Sequence, residues 1–95
     1  MNESLITERL NIALEKARTG RFQEVERIVD LLLNSDLPGF IGDAGDDVAG
    51  RAAKHRAEAV AGLLCGINTA INPKDAQVYA DLIDRARHAW RMPTI

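Results

Sequence analysis

The sequence predicts an all-α domain: a compact bundle of about four helices, built as two helical hairpins, in which the third helix is central and rich in alanine and glycine. Three observations carry this expectation. Apolar residues recur at three- and four-residue intervals along most of the chain. Gly20, Pro38-Gly39 and Asn72-Pro73 punctuate that pattern into segments of helical length. At 95 residues the chain can build one core, and splitting it would leave two pieces too small to be stable.

The first helix is expected over 3–18, with Asn2 or Ser4 as its cap. Ile6, Leu10, Ala13, Leu14 and Ala17 repeat at helical spacing and form its apolar face. Leu5 and Ile12 lie off that face as a narrower stripe beside Arg9 and Lys16. The stripe is either the edge of a wide core or a docking surface for another protein, with charged residues around an apolar centre. Thr19-Gly20 should end the helix, because glycine enters the left-handed conformation of a helix C-terminus without a Cβ penalty.

A second helix is expected over 21–34, with Phe22, Val25, Ile28, Val29, Leu32 and Leu33 on one side. The pair resembles one tetratricopeptide hairpin. Ile12-Ala13, Gly20, Phe22, Val25, Val29, Leu32 and Pro38 fall near that repeat's positions, the proline one place late, over about a third of the chain. The resemblance implies a tight helix-turn-helix unit. The second half carries no matching repeat, so a stacked solenoid is not expected.

An acidic, glycine-rich loop is expected over 35–45, holding Pro38, Gly39, Gly42 and Gly45. Phe40 and Ile41 within it are expected to plug the core, the alternative being an exposed anchor for a partner. Asp43, Asp46 and Asp47 do not follow the alternating pattern of an EF-hand, and no glutamate closes the loop. Their expected role is to complement the positive end of the next helix.

That helix, over 46–71, is the one around which the rest is organised. Ala49, Ala52, Ala53, Ala57, Val60, Leu63, Leu64, Ile67, Ala70 and Ile71 fall within an arc of roughly 140°. From Ala59 onward the other side is also small and apolar. Residues 59–71 are therefore expected to pack against their own chain on one side and a second copy on the other. Ala61, Gly62, Cys65 and Gly66 would form the self-association surface, with the Cys65 thiol buried. Arg56 falls inside the apolar arc and needs an acidic partner, from Asp46, Asp47 or another helix. The fourth helix is expected over 73–91, capped by Asn72, with Pro73 first and Asp75 in its first turn. Ala76, Val78, Tyr79, Leu82, Ile83, Ala86, Ala89 and Trp90 should face inward, and Asp81 and Arg85 should pair outside.

Catalytic patterns are sparse. The sequence holds no glycine-rich phosphate loop, no zinc-ligand spacing and no nucleophile with a matching base. His55 with Glu58, and Asp84 with His88, are the best pairs, and a di-metal bundle needs more inward glutamates than these segments supply. No catalytic residue, cofactor or metal ligand is expected, and the protein is read as not an enzyme. No apolar run reaches the roughly 18 residues of a membrane span, and the acidic start, Met-Asn-Glu-Ser-Leu, is unlike a targeting leader. A cytoplasmic location follows as an expectation. A net charge of −2 weighs against a phosphate-binding surface. The alternative reading is a nucleic-acid-binding or regulatory protein with a basic strip from Arg51, Lys54, Arg85 and Arg91. The preferred reading is a self-associating interaction module, a homodimer or higher oligomer. It would be a small accessory or inhibitor protein of the kind bacteria and phages encode, occluding another protein through Leu5, Arg9, Ile12 and Lys16.

Overall fold

The computed structural model describes residues 3–68 and 75–91. Among these the chain is helical almost throughout, as a small helical bundle. α1 (Glu3–Arg18) buries Ile6, Leu10, Ala13, Leu14 and Ala17, the face read from the sequence. It closes at Gly20, whose φ is +75°. The Gly20 N–H donates to the Ala17 carbonyl at 3.1 Å and the Arg21 N–H to the Lys16 carbonyl at 2.9 Å. This pair of bonds satisfies carbonyls that a helix end would otherwise leave open.

The next rod departs from expectation. α2 (Phe22–Leu31) passes into a π-helical turn (Leu32–Asp36) and then into α3 (Leu37–Asp43), so most of the expected 35–45 loop is helix. Leu31, Asp36 and Leu37 all keep right-handed helical angles, and the Leu37 N–H reaches back to the Leu32 carbonyl, five residues earlier. Proline inside a regular helix lacks an N–H and clashes with the carbonyl four residues before it. The wider π turn ends at Asp36, and Pro38 follows in the first turn of α3, where its missing donor costs least. The break that does occur is short: Ala44 is extended and α4 begins at Val48.

α4 (Val48–Asn68) is capped by Asp47, whose carboxylate accepts from the Gly50 N–H at 2.8 Å and whose carbonyl accepts from the Arg51 N–H at 3.0 Å. Here the capping role expected of the acids falls to Asp47. Ala57, Val60, Leu64 and Ile67 are buried, Ala52, Ala53 and Leu63 half-buried, and Ala49 exposed; Ala70 and Ile71 lie outside the described residues. α5 (Ala76–Arg91) is capped by Asp75 itself, which accepts from the Gln77 and Val78 N–H groups. Asp75 is thus the residue before the helix rather than part of its first turn, and Asn72 and Pro73 fall outside the described residues. Of the expected inner face, Tyr79, Ile83, Ala86 and Trp90 are buried, whereas Val78 is 41% exposed.

The two hairpins are α1–α2 and α4–α5. α5 packs between α1 and α4, and the α2–α3 rod lies across them, meeting α1 at its start and α4 at its end. Two edge-to-face aromatic pairs fix that rod to α5, Phe22 on Tyr79 and Phe40 on Trp90, each with centroids 5.0 Å apart. The alanine- and glycine-rich α4 packs against α5 and against the α2–α3 rod, and the side that carries Ala59, Gly62 and Cys65 is left open.

Candidate functional site

The open side of α4 is where the sequence placed self-association. Ala59, Gly62 and Cys65 are exposed there. A Cβ added at Gly62 would meet nothing within 4 Å. Within a single chain the Cys65 thiol is therefore exposed. Ala61 and Gly66 are half-buried, and a Cβ on Gly66 would lie 3.5 Å from the Leu82 side chain of α5. Gly66 thus faces α5 within the chain, and the four residues divide between two sides of α4.

On α1, Ile12 is 38% exposed and Leu5 half-buried. A shallow groove runs beside Ile12, lined also by Ser4, Thr7, Glu8 and Asn11. The two cations of this stripe already have partners. Arg9 pairs with Asp36 of the π turn, and the Asp36 side chain is only 7% exposed. Lys16 reaches Glu24 of α2 at 3.3 Å. A hydrogen bond from Lys16, reinforced by its charge and by Arg21, holds the Glu24 carboxyl below its ordinary value of 4.5 against a smaller opposing effect of desolvation.

A junction that the sequence only partly announced lies where α1, α4 and α5 meet. Arg56 pairs with Glu3 at 2.8 Å, and its guanidinium carbon lies 4.6 Å from the Trp90 ring centroid. The Trp90 indole N–H donates to the Thr7 hydroxyl at 3.0 Å, and that hydroxyl donates in turn to the Glu3 carbonyl. The acid that Arg56 required is thus on another helix, 53 residues away, and neither Asp46 nor Asp47 supplies it. Beside the junction, Glu3, Gly45, Asp47, Ala49, Gly50, Ala52, Ala53 and Arg56 line an open depression.

The basic residues do not stand as a bare cationic strip. Arg51 donates to the Asp46 carbonyl at 3.0 Å, Lys54 pairs with Asp46 at 3.1 Å, and Arg85 pairs with Asp81 at 3.2 Å as its spacing foretold. Arg91 is exposed at the end of α5. His88 lies 3.9 Å from Asp84, while His55 and Glu58 are exposed on α4. Among the described residues no group of three or more His, Cys, Asp or Glu side chains is placed to hold a metal ion. No described helix is long and apolar enough to cross a membrane. Comparison with known protein families, with curated proteins and with solved structures finds no match.

Proposed function

We propose that the protein is a non-catalytic interaction module that associates with itself along the outer side of α4 and binds and occludes another protein. The observation that carries this reading is the accessible run of Ala59, Gly62 and Cys65, with free space above Gly62. Residues this small let a second helix approach with its backbone close, which strengthens dispersion contacts over the area covered. Self-association would cover the side of α4 that one chain leaves open. The apolar Ile12, flanked by Leu5 and the groove on α1, is the second docking surface, on a regular element that loses little conformational entropy on binding. In this reading the protein acts in the cytoplasm as a small accessory or inhibitor protein of bacterial or phage type. The pairing of Lys54 and Arg85 with neighbouring carboxylates makes nucleic-acid contact the weaker alternative.

Light scattering coupled to size exclusion tests the self-association. The wild-type chain should show a mass above that of a monomer, rising with concentration. Gly62→Leu should return it to the monomer while leaving the fold intact, because the position is exposed and unobstructed. A wild-type chain that stays monomeric at millimolar concentration refutes the self-association.

A further inference from the structure

We infer that α3 is a hinged flap over Trp90 whose N-terminal hinge, the π turn, is latched to α1 by the ion pair between Arg9 and Asp36. The backbone is least secure at both ends of this segment. On its N-terminal side the π turn shifts the ladder to five-residue spacing, and Pro38 has no N–H with which to tie the flap back to the preceding turn. On its C-terminal side Ala44 leaves the helical region, and residues 44–47 form the connection to α4. Between these pivots α3 has seven residues, two of them the poor helix formers Gly39 and Gly42. A helix this short does not persist by its own hydrogen bonds.

Side chains therefore hold the flap closed. Leu37 and Phe40 are buried, and Phe40 meets Trp90 edge to face. Just before them, Asp36 keeps a mostly buried carboxylate against the Arg9 guanidinium. A carboxylate at that depth is stable there only while its cation is present. Arg9 is consequently a latch, and opening the flap would uncover the Trp90 ring with the apolar faces of Leu37 and Phe40.

Native-state hydrogen exchange on the full chain tests this, with acrylamide quenching of Trp90, the single tryptophan, as a second readout. In the wild type, amides of α3 should exchange at least about tenfold faster than the slowest amides of α5. Arg9→Gln should speed α3 exchange by about tenfold or more and increase Trp90 quenching, with a smaller change in α5. Gly39→Ala with Gly42→Ala should slow α3 exchange by about tenfold without moving α5, since a Cβ at either position meets nothing within 4 Å. If Arg9→Gln does not fold, the alanine variant still decides the matter. Equal rates in α3 and α5, moving together in the alanine variant, would mean that α3 opens only with the whole molecule, and the latch would be wrong.

Discussion

The Trp90 indole N–H donates to the Thr7 hydroxyl oxygen at 3.0 Å across 83 residues of sequence. The same hydroxyl gives its proton to the Glu3 carbonyl, so Thr7 is satisfied as donor and acceptor while holding α5 to α1. Thr7→Val keeps the shape and removes both roles, leaving the indole N–H of a residue only 5% exposed with no acceptor there. Denaturant unfolding should show a loss of about 1–3 kcal/mol. A loss below about 0.5 kcal/mol would show that the bond does not contribute.

Two glycines of α4 should respond oppositely to alanine. A Cβ on Gly50 would fall 1.9 Å from the Gly45 carbonyl oxygen, so the 44–47 connection could not keep its course. Gly50→Ala should destabilise by about 1–3 kcal/mol, whereas Gly62→Ala, compared at concentrations dilute enough to keep the chain monomeric, should stabilise by about 0.5–1 kcal/mol through improved helix propensity. Thermal melts of the two variants should move in opposite directions.

Phe40 and Ile12 separate core from surface. Phe40 is 2% exposed and meets Trp90 edge to face, so Phe40→Ser should cost about 3–5 kcal/mol, enough to unfold a domain of this size in mild denaturant. Ile12→Ser, at a position 38% exposed, should cost less than about 1 kcal/mol. In the proposed reading the second change weakens capture of a partner without altering the melt.

The lowered Glu24 pKa makes a small, directional contribution to pH dependence. Because the folded chain favours the ionised carboxylate, this contribution is present above 4.5 and is lost as pH falls through the depressed folded value. A carbon-detected NMR titration should place the Glu24 midpoint below 4.5, and Lys16→Met should raise it, since the Lys16 hydrogen bond is the largest cause. An unchanged midpoint in the variant would remove Lys16 as the cause.

Should the basic residues of α4 and α5 contact nucleic acid, Arg51→Ala and Arg91→Ala would each weaken binding and the affinity would fall steeply with salt. The proposed function expects no shift of short duplexes at physiological ionic strength. A specific, salt-sensitive shift would favour the alternative.

Helical periodicity made most of the fold legible, as the buried faces of α1 and α5 illustrate. The same periodicity runs through the expected loop: Leu33, Leu37, Phe40 and Ile41 sit at helical spacing and are buried or half-buried. Pro38 and three glycines hid it, because the π turn that precedes Pro38 has no local sequence mark. Phe40 fills the core as expected, though from a helix. At the candidate surfaces, Arg56 advertised its need for an acid, but Glu3 could be named only once α1 and α4 were in contact. The Arg9–Asp36 pair left no signal at all, since it joins residues 27 apart on two helices whose mutual rotation is set by packing. The outer side of α4 was legible as small and apolar, whereas the turning of Gly66 toward Leu82 depends on where α5 lies.

α5 is the last of the described helices to leave the ribosome, and it occupies the place between α1 and α4. Until it emerges, nascent α1 and α4 lack the partner that covers much of their apolar faces, and the long-range α1–α5 contacts cannot begin to form. Closure of this bundle must therefore wait until α5 has emerged, leaving α1 and α4 exposed to chaperones and to aggregation until then.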